Sequence, residues 1–359
     1  MNFELTAEQR LVQATAHDWF AKHFQPSDMR RLLDGGTGAA NAGALTETGY
    51  LGSLVDVQLQ GGGLSLLELA LVCEQAGRVL ADAPLVATAA HAVGVLAHGG
   101  AATNATLAMI AAGGVAAVMH TAEGDFDRAT KTLTAHCRPA IGAELASTLV
   151  VVHEDEADAW VVLVASDARG VVRSAPPAID PTRRIASVHL DRTPATLVTE
   201  GESARLSIES GYRKAIVALA AEDLGAAAAC MESAITYAKE RRAFGRPIGS
   251  FQAIKHLCVD AYIAVEQLRT LVWYAAWCDE GEPAAFGMAA SAARAYAADT
   301  LAQCAQTLIQ VHGGVGVTWE HDAHLYWRRA QVDRVVLGDS AHHRELVACA
   351  ALDLAVTHP

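Results

Sequence analysis

The chain has 359 residues, 52% hydrophobic and 19% charged, enough apolar material for two or three packed domains and too much for a disordered chain. Its 27 Lys and Arg against 40 Asp and Glu give a formal charge of −13, which argues against wrapping nucleic acid or coating an anionic membrane. The mean hydropathy of +0.21 comes from Ala-rich segments such as AAEDLGAAAACM, and the apolar runs break before the ~20 residues a membrane-spanning helix needs.

In chain order, Thr6 with Gln9 reads as a capping box opening a helix through Phe20 and His23. The segment MNFELTAEQR is acidic and has no apolar core, unlike a signal peptide. After a Gly/Ala stretch and the turn Gly61–Gly62–Gly63, Ser65 with Glu68 forms a second capping box, and Leu66, Leu69, Ala70 and Cys73 follow at helical spacing. Pro84 starts a further helix through His91 and Leu96. From about residue 113 the character changes. VAAVMH (115–120), TLVVVH (148–153), AWVVLVAS (159–166) and ASVHLD (186–191) are β-branched runs between Asp, Gly and Pro, expected as strands of a small antiparallel domain. Long Ala-rich periodic segments at 208–239, 251–279, 284–310 and 340–356 then predict four helices with short connections, an antiparallel bundle. The expected architecture is α+β multidomain: a helical domain at 1–112, a β domain at 113–205 and a four-helix bundle at 206–359.

The seven cysteines are scattered, with no C-x-x-C pair, which fits reduced thiols in the cytoplasm. The fifteen histidines form no H-E-x-x-H, so no metal is expected. Two segments stand out. In YAKERRAFGRPIGSFQAIKH (237–256), Arg241, Phe244 and Gln252 surround a tight turn made by Gly245, Pro247 and Gly249. Such a set can grip a dinucleotide: Arg on pyrophosphate, Phe against a ring, Gln as a hydrogen-bonding amide. It equally suits a helix hairpin with a solvated Arg and a buried Phe. In QVHGGVGVTWEHDAHLYWRRA (310–330), Gln310, Gly313 and Gly314 mark either a loop for close backbone approach to a ligand or a helix C-cap. No strand precedes it, so it is not a Rossmann fingerprint.

Together with TGYLGSLV…GGGLSLLELALVCEQAGRVLADAPL and IDPTRRIASVHLD (179–191), these segments resemble the acyl-CoA dehydrogenase family over nearly the whole chain, in its order and spacing. TWEHDAHLYWRRA is similar to the actinobacterial, heteromeric branch associated with sterol side-chain breakdown. The resemblance implies an N-terminal helical domain, a middle antiparallel β-barrel and a C-terminal four-helix bundle, usually in a tetramer. It further implies FAD, an acyl-CoA substrate, dehydrogenation to the 2-enoyl-CoA and electron-transfer flavoprotein as acceptor. The reaction needs a carboxylate base at the substrate α-carbon. In most members that base is the Glu of an E-G-T-x-x-Q-like motif. Here the matching stretch DRVVLGDSAHHREL (333–346) puts Leu337 at that position, Gly338 on the Gly and Asp339 on the Thr, with Ala341 where a flavin-side polar group is expected. Other members carry the base on the first bundle helix, where Ala215 falls. Leu337 and Ala215 are thus expected to line the acyl pocket without any acid.

The family's T-E-P-x-x-G-S and N-G-x-K-x-[WF]-I-T segments hold the flavin ring. VMHTAEGDFDR (118–128) and RPAIGAELASTLVVVH (138–153) stand in their place and lack the Pro, the Gly-Ser and the Lys-aromatic-Ile-Thr. The family's R-x-x-F-G…Q turn and Q-x-x-G-G loop, which hold the ADP end of a neighbouring subunit's FAD, are kept as Arg241, Phe244, Gln252, Gln310, Gly313 and Gly314. The resemblance therefore implies a subunit without a base that completes the FAD site of a homologous catalytic partner in a heterotetramer. Two alternatives stand beside it. One is a homo-oligomer whose base is displaced to Asp339, Glu222, His342 or His343. The other is a flavin-free acyl-CoA-binding scaffold.

Overall fold

The computed structural model describes residues 4–36 and 42–357. Met1, Asn2 and Phe3 of the opening segment, and part of the Gly/Ala stretch, lie outside it. By internal contacts the chain divides into two compact units, one of Met1–Thr37, Ala70–Ala81 and Ile216–Pro359, the other of Gly38–Leu69 and Asp82–Ala215.

The elements are α1 (Ala7–His23), α2 (Pro26–Leu33), α3 (Ala42–Thr48), α4 (Leu66–Arg78), α5 (Val93–Leu96) and α6 (Asn104–Ala111). Seven strands follow: β1 (Ala116–Asp127), β2 (Thr132–Ala140), β3 (Thr148–Glu154), β4 (Ala159–Ala165), β5 (Val171–Ser174), β6 (Ala186–Pro194) and β7 (Thr196–Glu200). Then come α7 (Glu202–Glu240), the two-residue strands β8 (Arg242–Ala243) and β9 (Arg246–Pro247), α8 (Gln252–Gly281), α9 (Pro283–His312), α10 (Ala323–Asp333) and α11 (Ser340–Thr357). The elements change type where the composition does.

Both capping boxes leave their mark. The Thr6 hydroxyl accepts the Gln9 N–H at 3.2 Å, and Gln9 Oε1 accepts the Thr6 N–H at 3.0 Å. At α4, Glu68 accepts the Ser65 N–H at 3.0 Å, but the Ser65 hydroxyl serves Leu67, one residue earlier than a full box requires. The segment after Pro84 opens as a π-helical turn (Leu85–Ala92) before α5.

In the second unit the sheet has the order β5-β6-β2-β1-β3-β4-β7. The expected β domain is there, and all but one of its strand pairs are antiparallel. β1 and β3 run parallel, Ala116 facing Thr148, and β5 and β7 stand at opposite ends of the strand order. Strand β1 is shared. Its first half pairs with β3, and from Thr121 onward it pairs with β2 in antiparallel register, with a bulge between Thr121 and Glu123. A strand shared in this way links two smaller sheets. Leu149, Val150, Val151 and Val152 are all buried, as are Ala159, Trp160, Val161 and Val162, so both faces of these central strands are covered. Strands β2, β5 and β7 escape the sequence reading. β2 is Thr-, His- and Arg-rich and shows only an alternating pattern of burial. Within this unit Arg184, in left-handed backbone at φ 48°, donates to Asp82 at 3.0 and 3.1 Å and to Glu144 at 3.2 Å, anchoring the IDPTRR turn.

In the first unit α7 runs through the middle. Ile216 to Ala221, Leu224, Ala226 to Ala228 and Cys230 are all buried, the pattern of a helix covered on every side. Small residues let its neighbour come close. A Cβ on Gly77 of α4 would sit 1.9 Å from the Glu222 carbonyl oxygen, and one on Gly225 would sit 1.8 Å from that of Glu74. α8 and α9 form an antiparallel hairpin turned at Pro283, and α10 is an additional helix that the sequence reading left inside a loop. Gly77→Ala must push two backbones apart. We expect a loss of about 1–3 kcal/mol or more, seen as a lower thermal midpoint by about 2–4 °C per kcal/mol. An unchanged midpoint would mean the crossing is not tight.

Candidate functional site

The ADP-side candidates all belong to the first unit. Helix α7 ends with the Arg241 N–H donating to the Tyr237 carbonyl at 2.8 Å. The chain then makes the minimal hairpin β8–β9, with Phe244 (φ 52°) and Gly245 (φ 78°) at its tip. Two consecutive positive φ values define the turn that matches strand twist, and they favour Asn-Gly or Gly-Gly. A Phe at the first of these positions is strained, and Phe244 is 94% exposed. The hairpin reading with a buried Phe is therefore overturned: the ring is presented, not packed into a core. Arg246 lies over the Phe251 ring at 4.1 Å and Arg242 donates to the Gly245 carbonyl at 3.1 Å, which stiffens the turn. Arg241 and Gln252 are exposed.

The second candidate segment follows α9. Gly313 takes φ 64°, ψ −139°, a conformation essentially confined to glycine. A Cβ on Gly313 or Gly314 would meet nothing within 4 Å, so both backbones face open space. Gln310 is exposed and shares with Leu257, Asp260, Gln303, Gln306 and Thr307 an open groove of about 270 Å³ between α8 and α9. The two segments meet through side chains. Tyr237 stacks on His312 with centroids 4.1 Å apart and planes 24° apart. An exposed guanidinium, two exposed amides, an aromatic ring and bare glycine amides on one unit suit the ADP half of FAD.

At the position matching the usual base, Leu337 sits in left-handed backbone at φ 56° and is half-buried. The segment is held by its carbonyls. Arg294, fully buried, donates to the carbonyls of Asp333 and Val336, the latter at 3.1 Å, and pairs with Asp223 at 2.9 Å. His343 Nε2 donates to the Leu337 carbonyl at 2.8 Å. Ala215 is fully buried on α7. Of the four displaced-base candidates, His342 is exposed and the other three are engaged elsewhere. Glu222 is buried and faces Arg329 at 3.8 Å. Asp339 caps α11 by accepting the His342 N–H at 2.8 Å. His343 is spent on the Leu337 carbonyl.

In the second unit, the two stretches standing for the flavin-ring segments satisfy each other. His153 Nε2 donates to Asp155 at 3.1 Å, and Nδ1 accepts the Thr121 hydroxyl at 2.8 Å. His153 also stacks on Trp160 at 5.1 Å. Nearby, His91 is fully buried with its ring 5.9 Å from His120. Thr121 and His153 are thus committed to one another, while the buried His91 Nε2 has no hydrogen-bond partner. The sequence reading missed this Thr121–His153–Asp155 chain because Thr121 lies on β1 while His153 and Asp155 lie at the end of β3. Among the described residues no group of three or more His, Cys, Asp or Glu could hold a metal ion, and no helix is long and apolar enough to cross a membrane.

Burial drives the His91 pKa down to about 3, with His120 adding to the effect, and burial likewise drives His343 down to about 4 against its Leu337 hydrogen bond. Both are neutral in the native chain, whereas an unfolded imidazole titrates near 6.5. Below pH 6.5 the unfolded chain takes up protons that the native chain refuses. Stability is complete above pH 6.5 and drains as pH falls toward 4 and then 3, by up to about 1.4 kcal/mol per pH unit for each His. Denaturant midpoints between pH 7 and 4.5 should fall, and His343→Gln should flatten part of that slope. Equal slopes in both proteins would remove His343 from the account.

Known proteins place these features in context. The family model described as acyl-CoA dehydrogenase, C-terminal domain, matches residues 214–352, and that described as acyl-CoA dehydrogenase, N-terminal domain, matches residues 6–113. The chain is 33% identical over 329 residues to acyl-CoA dehydrogenase IpdE2 of Mycobacterium tuberculosis, covering 90% of this chain and 91% of the relative. It shares its fold with the ChsE4-ChsE5 complex from Mycobacterium tuberculosis (TM-score 0.84, 23% identity, 98% and 99% of the two chains covered). The Tcur3481-Tcur3483 steroid ACAD is similar (TM-score 0.82, 24% identity, 97% and 99% covered).

Proposed function

The chain belongs to the acyl-CoA dehydrogenase family of FAD-binding oxidoreductases, and from that membership we propose that it is the subunit without a base in a heteromeric enzyme, completing the FAD site of a homologous catalytic partner. One contrast carries the proposal. The residues matching the family's ADP contacts are presented to solvent, with Phe244 94% exposed, while the positions matching its base hold Leu337 and Ala215. No pKa shift lets Leu or Ala accept a proton. The pairing of Thr121 with His153 supports the same division.

In this reading the partner chain takes the α-proton of an acyl-CoA thioester, and the product is the 2-enoyl-CoA. The chemistry that bound FAD supplies is acceptance of the β-hydride, with an electron-transfer flavoprotein as the onward acceptor. This chain's own part is binding and orientation. Arg241 pairs with the pyrophosphate, Phe244 packs against the cofactor, Gln252 and Gln310 hydrogen-bond it, and Gly313 and Gly314 allow main-chain approach. ChsE4-ChsE5 is a two-chain complex and Tcur3481-Tcur3483 is a steroid ACAD, which favours a heteromer acting on a sterol-derived CoA ester.

Expression alone and with a homologous partner, followed by visible spectra, tests the assembly. The chain alone should carry no flavin band, and the co-purified complex should carry one. A near-stoichiometric band on the chain alone would favour a self-sufficient homo-oligomer, and no flavin in either sample a scaffold. Arg241→Ala should weaken FAD binding by the complex about ten- to a hundredfold, the worth of a charge-assisted contact of about 1.5–3 kcal/mol, and leave the thermal midpoint nearly unchanged. Unchanged flavin affinity with a lowered midpoint would make Arg241 a helix-end cation instead.

A further inference from the structure

Between the two segments assigned to FAD lies a column of rings that neither segment's motif explains. Tyr237 stacks on His312 at 4.1 Å, and His312 meets His321 at 4.3 Å with planes 50° apart. His312 is 8% exposed, and its Nδ1–H donates to the Leu308 carbonyl at 2.9 Å, which fixes the ring's rotation and leaves its faces for stacking. At one end of the column, the Tyr237 carbonyl takes the Arg241 N–H. At the other, His321 Nδ1 accepts the Ala323 N–H at 3.1 Å, and the adjoining Asp322 pairs with Arg30 of α2. The column thus starts at the backbone of the Arg241 turn and ends on the loop that begins at Gly313. Gly316 packs beneath it: a Cβ there would lie 3.0 Å from the His312 Cβ.

We infer that His312 is a positioning residue, which by stacking between Tyr237 and His321 sets the Arg241 turn and the Gly313–Gly314 loop at the spacing one dinucleotide requires. The inference rests on the FAD reading above, and it names what makes two separate motifs into one half-site. Arg241 sits on the end of a 39-residue helix and Gly313 follows a 30-residue one. Without a bridge each terminus frays on its own. A planar ring held by its own hydrogen bond costs little entropy to order and couples both ends.

The test has two readouts. Amide hydrogen exchange on the purified chain, read on peptides covering 241–252 and 313–322, needs no flavin. His312→Ala and Tyr237→Ala should each raise exchange in both segments by about tenfold or more, while Tyr237→Phe and His312→Phe, which keep a stacking face, should stay near wild type. Faster exchange confined to 313–322 in His312→Ala would overturn the inference, as would loss of protection in both segments for His312→Phe. The second readout is FAD affinity of the complex. His312→Ala should weaken it about tenfold, and the double variant with Arg241→Ala should lose less than the sum of the two single losses, because part of the effect of His312 passes through that arginine. Additive losses would overturn the inference. A wild-type complex that holds no FAD would instead refute the FAD reading, while the exchange experiment still decides whether His312 couples the two segments.

Discussion

The close crossing of α4 and α7 is the constraint from which the helical unit is built. Two glycines, Gly77 and Gly225, let each helix press on the other's main chain, at the carbonyls of Glu222 and Glu74. That contact decides where the adjacent acids go. The Glu74 side chain leaves the crossing toward Arg269 of α8, Glu222 toward Arg329 of α10 and Asp223 toward Arg294 of α9. Two buried cations, Arg294 and Arg329, and the half-buried Arg269 are thus recruited by acids within a few residues of one crossing. A buried pair of this kind is seldom a net source of stability, but losing one partner strands a charge and costs about 3–5 kcal/mol. Its value is in fixing which helix lies against which.

The same crossing explains why Glu222 is a poor reserve base. On a helical wheel it shares a face with Ala215, which is why the sequence offers it as a candidate. In the folded chain that face is the interior of the bundle, and the carboxylate answers to Arg329. Function and architecture compete for one acid, and architecture has it.

Much of the fold was legible. Capping residues and Ala-rich periodicity announced the helices because each is carried by neighbouring residues in the chain. The parallel β1–β3 pair was not legible, because whether two Val-rich runs pair parallel or antiparallel depends on the route the chain takes between them through β2, not on either run's composition. The site divides along the same line. Arg241, Phe244 and the glycines could be picked out because their motifs are contiguous. The stack of Tyr237, His312 and His321 could not, since Tyr237 is distant along the chain from the two histidines and which rings face one another depends on how α7 meets the end of α9. Phe244 is instructive in a different way. Turn chemistry calls for Asn or Gly at its place, and the strained, exposed ring marks a site where local preference gives way to something beyond the chain's own core.

The grip on the Leu337 segment has an evolutionary reading. Arg294 and His343 hold main-chain carbonyls, which every residue type provides. The path of the backbone there does not depend on the side chain it displays. The side chain at position 337 can therefore change over evolutionary time without repacking the loop, so folding alone places little constraint on which residue stands there.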